Sequence, residues 1–173
     1  MATVVYKLDD DISTDIIYPG RFMATVLPTE TPQFAFADIA ELNDKLKAKQ
    51  IPTGSVIVAG KNFGCGSSRE QAVSALKGYD LIIAARNFAR IFLQNSINLG
   101  LQTVACPELE ANVGDELEVT ATEVVNKTSG KTFRVEPLPE ARRAIVEAGG
   151  LIPYTRKRVL QRATELKESS KIS

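Results

Sequence analysis

The chain has 173 residues, 44% of them hydrophobic and 24% charged, and its 21 basic residues balance 21 acidic ones. It reads as a soluble globular chain with no charge excess to draw nucleic acid or an anionic membrane. It contains no histidine and only two cysteines, Cys65 and Cys106. That excludes a His base within this chain and leaves too few ligands for a zinc or iron–sulfur site of its own.

No apolar run approaches the length of a membrane span, and Met1-Ala2-Thr3-Val4 leads straight into a strand-like segment. No signal peptide is expected, and the cytoplasm is the expected location. Thr3 to Leu8 alternates as a strand, and Asp9-Asp10-Asp11 stops it. Ile12 to Met23 contains Pro19-Gly20 and reads as a loop, extended by Pro28 and Pro32. Ala35 to Lys49 has helical spacing, with Phe36, Ile39, Ala40, Leu42 and Leu46 on one side, and Pro52-Thr53-Gly54 ends it. Ser55 to Ala59 is a short apolar run that suits a buried strand.

A glycine-rich loop, Gly60 to Glu70, comes next, followed by a helix over Gln71 to Lys77 closed by Gly78. Leu81 to Ala85 reads as a strand, Asn87 to Ser96 as a helix and Leu101 to Ala105 as a strand. Residues 55–105 therefore alternate strand and helix, the signature of parallel α/β winding. After Pro107 the texture changes to short strands at Glu116–Thr120, Glu123–Asn126 and Thr132–Val135. Helices are expected at Glu140–Ala148, ending on Gly149-Gly150, and at Arg156–Lys167, whose basic run reads as a solvated face or a partner contact. The expected organisation is one α/β domain over residues 1–166 with a C-terminal tail at 167–173.

The glycine-rich loop fits none of three common motifs. Gly64-Cys65-Gly66 lacks the third glycine of a dinucleotide fingerprint, and Gly60-Lys61 is followed by Asn62 rather than Ser or Thr. Gly66-Ser67-Ser68 lacks the closing glycine and the His partner of a nucleophile elbow. What remains is a strand, a tight turn, and Ser67-Ser68 at a helix start, where free N–H groups favour an anion. Arg69 in the first helical turn opposes the helix dipole, a local conflict that points to function. The plainer reading is a capping box, with Ser67 as the cap and Glu70 closing it.

The run Gly60-Lys61-Asn62-Phe63-Gly64-Cys65-Gly66-Ser67-Ser68-Arg69-Glu70 closely resembles the small subunits of the 3-isopropylmalate dehydratase branch of the aconitase superfamily. So do Asn87-Phe88-Ala89-Arg90-Ile91-Phe92 and Asn95-Ser96-Ile97-Asn98-Leu99-Gly100. Asp11-Ile12-Ser13-Thr14-Asp15 and Pro19-Gly20 match the N-terminal motif, and the likeness runs on to Glu147-Ala148-Gly149-Gly150-Leu151. The resemblance implies a swivelling β/β/α domain like the aconitase C-terminal domain. It also implies a separate large subunit carrying a [4Fe–4S] cluster, with none held by this chain. Together they would isomerise a small 2-hydroxy dicarboxylate by removing and re-adding water, a step of leucine biosynthesis.

By the same resemblance Ser67 is the catalytic base, taking a proton from the carbon next to a carboxylate. Arg69 clamps a substrate carboxylate, Ser68 hydrogen-bonds a carboxylate oxygen, and Asp15 orients an Arg or the proton network. For Asp15 an Asx-type turn role stays open. Two positions depart from many relatives, which have His where this chain has Gln71 and Ile16. Cys65 looks like a buried small residue beside the turn; Lys61 and Asn62 line the site or shape the loop; Asn87, Arg90 and Asn95 support the loop.

The family reads the variable end of its substrate with the segment after Pro19-Gly20, where members acting on tricarboxylates such as homoaconitate carry an Arg. Here Phe22, Met23, Ala24 and Thr25 occupy it, with Ala24 at the Arg position and Arg21 on the wrong side of the aromatic residue. An apolar slot without a cation suits an alkyl group, isopropyl first, with dimethylmalate and citramalate as alternatives. An accessory subunit without catalysis is the reading outside enzymes, and the intact Ser67-Ser68-Arg69 argues against it.

Overall fold

A computed structural model describes the backbone of residues 1–169 and the side chains through Thr164. Among the described residues seven strands form one mixed sheet, in the order β4-β3-β2-β1-β5-β6-β7. β1 (Ala2–Lys7), β2 (Val56–Ala59), β3 (Ile82–Ala85) and β4 (Gln102–Ala105) run parallel to one another. β5 (Glu116–Val119) joins the other edge of β1 antiparallel, and β6 (Glu123–Asn126) and β7 (Lys131–Arg134) continue that half as a meander. β1 is thus the seam between a parallel and an antiparallel half.

β2 and β3 are buried along their whole length, which is why both read as unbroken apolar runs. Alternate residues still part to opposite faces. Ile57, Ala59, Ile83 and Ala85 join one core with Phe36, Leu42, Leu46, Ala72, Leu76 and Phe92. That core is roofed by α2 (Ala40–Lys47), α3 (Glu70–Lys77) and α4 (Arg90–Leu99). Val56, Val58, Ile82 and Ala84 face a second core with Leu117, Val124, Phe133 and Cys106, so the sheet curls until its antiparallel half covers the other face of the parallel half.

Several expected boundaries shift. The segment read as loop from Ile12 contains a four-residue helix, α1 (Thr14–Ile17), capped by the Ser13 hydroxyl, which accepts the Ile16 N–H at 3.3 Å. The helix expected from Ala35 starts at Ala40, because Phe36 has φ +53° and turns the chain so that its ring enters the core. After α5 (Glu140–Glu147), α6 (Leu151–Ser169) begins five residues before Arg156. Pro153 sits in its first turn, where the missing N–H costs nothing. Of the tail expected at 167–173, residues 170–173 lie outside the described residues. No helix among the described residues is long and apolar enough to cross a membrane.

Candidate active site

The loops that follow β1, β2 and β3 meet beyond the carboxyl ends of these parallel strands, where ligands gather in open α/β sheets. The first two loops are joined as if the β1–β2 ladder continued. Leu8 N–H donates to Val58 O (2.8 Å), Asp11 N–H to Lys61 O (2.8 Å), Gly64 N–H to Ile12 O (2.7 Å) and Thr14 N–H to Cys65 O (2.8 Å). The third loop closes against the second, with Phe63 N–H to Asn87 O (3.2 Å) and Ala89 N–H to Phe63 O (2.9 Å).

Side chains lock the same joint. Asp10 Oδ1 accepts the Lys61 N–H (2.7 Å), Asn87 Oδ1 accepts the Asn62 N–H (2.6 Å), and Asn62 Nδ2 donates to Asp11 Oδ1 (2.8 Å). The Asn62 side chain thus shapes the loop, whereas Lys61 contributes only its backbone N–H and carbonyl to these contacts. Asn95 Nδ2, on α4, donates to Ser68 O (3.3 Å). Gly64 holds φ +80°, and a Cβ built there would meet Phe92 Cγ at 2.1 Å. Only glycine lets the loop rest on that ring.

Ser67 does not cap a helix. α3 starts at Glu70 with Arg69 as the N-cap residue (φ −61°, ψ 108°), and no side chain caps it. The capping-box reading fails because the Ser67 hydroxyl is engaged elsewhere: its Oγ lies 3.1 Å from Thr14 Oγ1, and its N–H donates to the same oxygen at 3.2 Å. Arg69 therefore precedes the first helical turn rather than occupying it. Its charge is met by Asp15, which forms an ion pair with Arg69 Nη1, and the same nitrogen lies 3.5 Å from the Tyr18 carbonyl. The Arg69 side chain is 15% exposed, and its Nε–H is buried with no partner among the described residues. A buried guanidinium with an unspent donor is suited to a ligand carboxylate.

The structure thus brings Ser67, Arg69 and Asp15 together. Gly20 follows directly, since a Cβ there would lie 3.4 Å from Arg69 Nη2. From Gly20 the chain enters the Phe22–Thr25 segment, with Met23 and Ala24 exposed. Phe22 stacks on Phe34 at 4.1 Å, and the buried Tyr18 hydroxyl holds the turn, 3.1 Å from Phe22 O and 3.3 Å from Thr25 O. Burial raises the Tyr18 phenol above its ordinary pKa, partly offset by the Thr25 hydrogen bond. Arg21 is held by Asp38 through two hydrogen bonds of 3.1 and 2.5 Å and lies over the Phe22 ring at 4.6 Å. That pairing depresses the Asp38 carboxyl below its usual range.

Sequence reasoning passed over Thr14 and Tyr18. Thr14 carried one usable signal, a hydroxyl residue inside Asp11-Ile12-Ser13-Thr14-Asp15; its contact with Ser67 spans 53 positions and has no local trace. Cys65, expected to be buried, is half-buried with Sγ 3.5 Å from Asp11 O. Cys106 lies in the second core, where burial first and Glu108 second push its thiol up to about 11. Among the described residues no three His, Cys, Asp or Glu side chains converge on a metal-sized site. This chain's own groups do not fit an iron–sulfur cluster.

A mixed, curled sheet with paired hydroxyls and a carboxylate-bound arginine at the ends of its parallel strands defines an aconitase-type α/β domain. The family model for the aconitase C-terminal domain matches residues 11–109. The chain is 43% identical over 161 residues to the 3-isopropylmalate dehydratase small subunit of Methanosarcina mazei, covering 91% of this chain and 97% of that protein. It is 41% identical over 162 residues to the isopropylmalate/citramalate isomerase small subunit of Methanocaldococcus jannaschii, covering 91% and 94%. A crystal structure of 3-isopropylmalate dehydratase from Methanocaldococcus jannaschii superposes with a TM-score of 0.83 at 39% identity, covering 94% of this chain and 97% of that one. The chain belongs to the aconitase C-terminal domain family, in the group of the 3-isopropylmalate dehydratase small subunits.

Proposed function

We propose that this chain is the small subunit of a hydro-lyase that interconverts 2-isopropylmalate and 3-isopropylmalate, a step of leucine biosynthesis, together with a large subunit that holds a [4Fe–4S] cluster. The observation that carries this reading is the double tie between the two loops at the sheet's carboxyl edge, Ser67 to Thr14 and Arg69 to Asp15, in a chain so similar to the dehydratase small subunits. With no histidine and no metal-sized group of ligands among its described residues, the chain relies on its partner for a Lewis acid toward the departing hydroxyl.

In this reading Arg69 binds a substrate carboxylate through the guanidinium edge that Asp15 leaves open. Ser68 adds a hydrogen bond to a carboxylate oxygen. Ser67 Oγ, as the alkoxide, takes the proton from the neighbouring carbon and becomes the hydroxyl; the C–H electron pair becomes the new C=C bond, and the substrate hydroxyl leaves with the C–O pair as hydroxide, which a solvent proton turns into water. Re-addition of water in the other orientation reverses each step. The exposed Met23 and Ala24 give the alkyl end of the substrate an apolar neighbour, and Arg21 cannot replace it with a cation while Asp38 holds it. Citramalate is the second reading, supported by the isomerase small subunit of Methanocaldococcus jannaschii.

The test is co-production with the large subunit from the same genome, anaerobic cluster reconstitution, and assay against isopropylmalate, citramalate, dimethylmalate and homoaconitate. Turnover of an alkylmalate that disappears in Ser67→Ala, with the complex intact, is expected. Retention of near wild-type kcat in Ser67→Ala would overturn the base assignment. A complex that assembles with its cluster yet turns over none of the four would favour the accessory-subunit reading.

A further inference from the structure

Thr14 is 1% exposed, and a buried hydroxyl has to place its hydrogen. Its backbone is fixed from both sides, with its N–H on Cys65 O at 2.8 Å and its carbonyl accepting the Tyr18 N–H at 2.9 Å. Its Oγ1 accepts the Ser67 N–H (3.2 Å) and lies 3.1 Å from Ser67 Oγ. A hydroxyl has one hydrogen and two lone pairs, and the Ser67 amide already occupies a lone pair. The one hydrogen of Thr14 is therefore free to point at Ser67 Oγ, and the two contacts share a five-membered grip on a single residue. The exposed partner, Ser67, keeps the other side of its Oγ open to substrate or solvent.

We infer that Thr14 is the positioning residue of the Ser67 base: it donates a hydrogen bond to Ser67 Oγ, holds that oxygen facing the substrate, and stabilises it while it carries negative charge. This rests on Ser67 acting as the base. The direction matters because a donor aimed at an oxyanion from a dry site acts without reorganisation at the moment of reaction. Thr14 is dry, its backbone is tied to the glycine-rich loop, and Gly66, at φ +94°, brings the backbone before Ser67 close enough that a Cβ there would be 3.5 Å from Thr14 Oγ1.

The experiment uses the reconstituted two-subunit enzyme with Thr14→Val, Thr14→Ala and Thr14→Ser, beside Ser67→Ala. Valine keeps the shape and removes the donor; alanine removes it without a branched neighbour; serine keeps it. Expected are kcat values lower by about 100-fold in both hydroxyl-free variants, nearly unchanged KM, and recovery to within about fivefold in Thr14→Ser. The substrate deuterated at the carbon that Ser67 deprotonates should show a larger kinetic isotope effect in Thr14→Val than in wild type, because proton removal becomes the slow step. A kcat within threefold of wild type in both hydroxyl-free variants would overturn the inference. So would a lower kcat with an unchanged isotope effect, which would mark a packing role only. An active Ser67→Ala would instead remove the base assignment on which the inference stands.

Discussion

Adding one methyl group at Gly64 should weaken the fold far more than adding the same group at Gly114. Both residues have positive φ, +80° and +94°. A side chain in that region costs roughly 1–2 kcal/mol. At Gly114 no heavy atom lies within 4 Å of the new Cβ, so backbone strain is the whole cost. At Gly64 the methyl would lie 2.1, 2.4 and 2.5 Å from Phe92 atoms. Phe92 cannot swing clear, since it is 2% exposed and wedged against Phe63 at 5.2 Å and Phe88 at 6.3 Å. Overpacking of this kind adds about 1–3 kcal/mol, for a total near 2–5 kcal/mol at Gly64. A smaller unfolded-state entropy offsets ~0.4–1 kcal/mol at both sites. With an m-value of ~2 kcal/mol/M in urea, the Gly64→Ala midpoint should fall by roughly 0.5–2.3 M and the Gly114→Ala midpoint by about 0.8 M or less. Equal midpoint shifts for the two variants would refute the claim that contact with Phe92 fixes the glycine-rich loop.

If Phe22–Thr25 faces the substrate as proposed, Ala24→Arg should move the ratio of kcat/KM from alkylmalates toward homoaconitate by at least tenfold, because a charge-assisted contact to the distal carboxylate is worth ~1.5–3 kcal/mol; an unchanged ratio with the cluster intact would show that Phe22–Thr25 does not read the substrate. Iodoacetamide at pH 8 should label Cys65 and spare Cys106, whose thiol is held protonated to about pH 11, with both labelled in urea. The same shift sets an alkaline weakness. The unfolded thiol ionises from about 9.0 while the folded one waits until about 11, so Cys106 makes stability fall as pH rises between those values. A melting temperature that drops no more between pH 9 and 11 than that of Cys106→Ala would contradict this.

The parallel half was legible because β2 and β3 are buried on both faces, and burial on both faces writes itself as Val-Ile-Val-Ala and Ile-Ile-Ala-Ala. The glycine-rich loop was legible as an unusual string, and its likeness to known small subunits marked Ser67, Arg69 and Asp15. What the string could not show is how these residues spend their hydrogen bonds. Ser67 looked like a cap because Glu70 follows at the right interval, but Thr14, 53 positions earlier, takes both its amide and its hydroxyl. Phe36 looked helical by spacing and reaches the core from a left-handed turn instead. Arg21 was placed beside the aromatic residue by sequence order alone; its capture by Asp38 depends on a turn that brings residues 17 apart into contact.

The amide-to-carbonyl bonds from Asp11, Gly64 and Thr14 make the β1 and β2 loops an extension of the sheet rather than two separate flaps. The half-site is therefore assembled by the same event that pairs β1 with β2, and its backbone entropy is lost at folding, before any second subunit arrives. Amide exchange at Thr14 and Gly64 in the isolated chain should accordingly follow that of the β1–β2 ladder. In the proposed two-subunit enzyme, a large subunit docking here would meet a finished surface, and shape already present, not order induced on contact, would set the selectivity of that encounter.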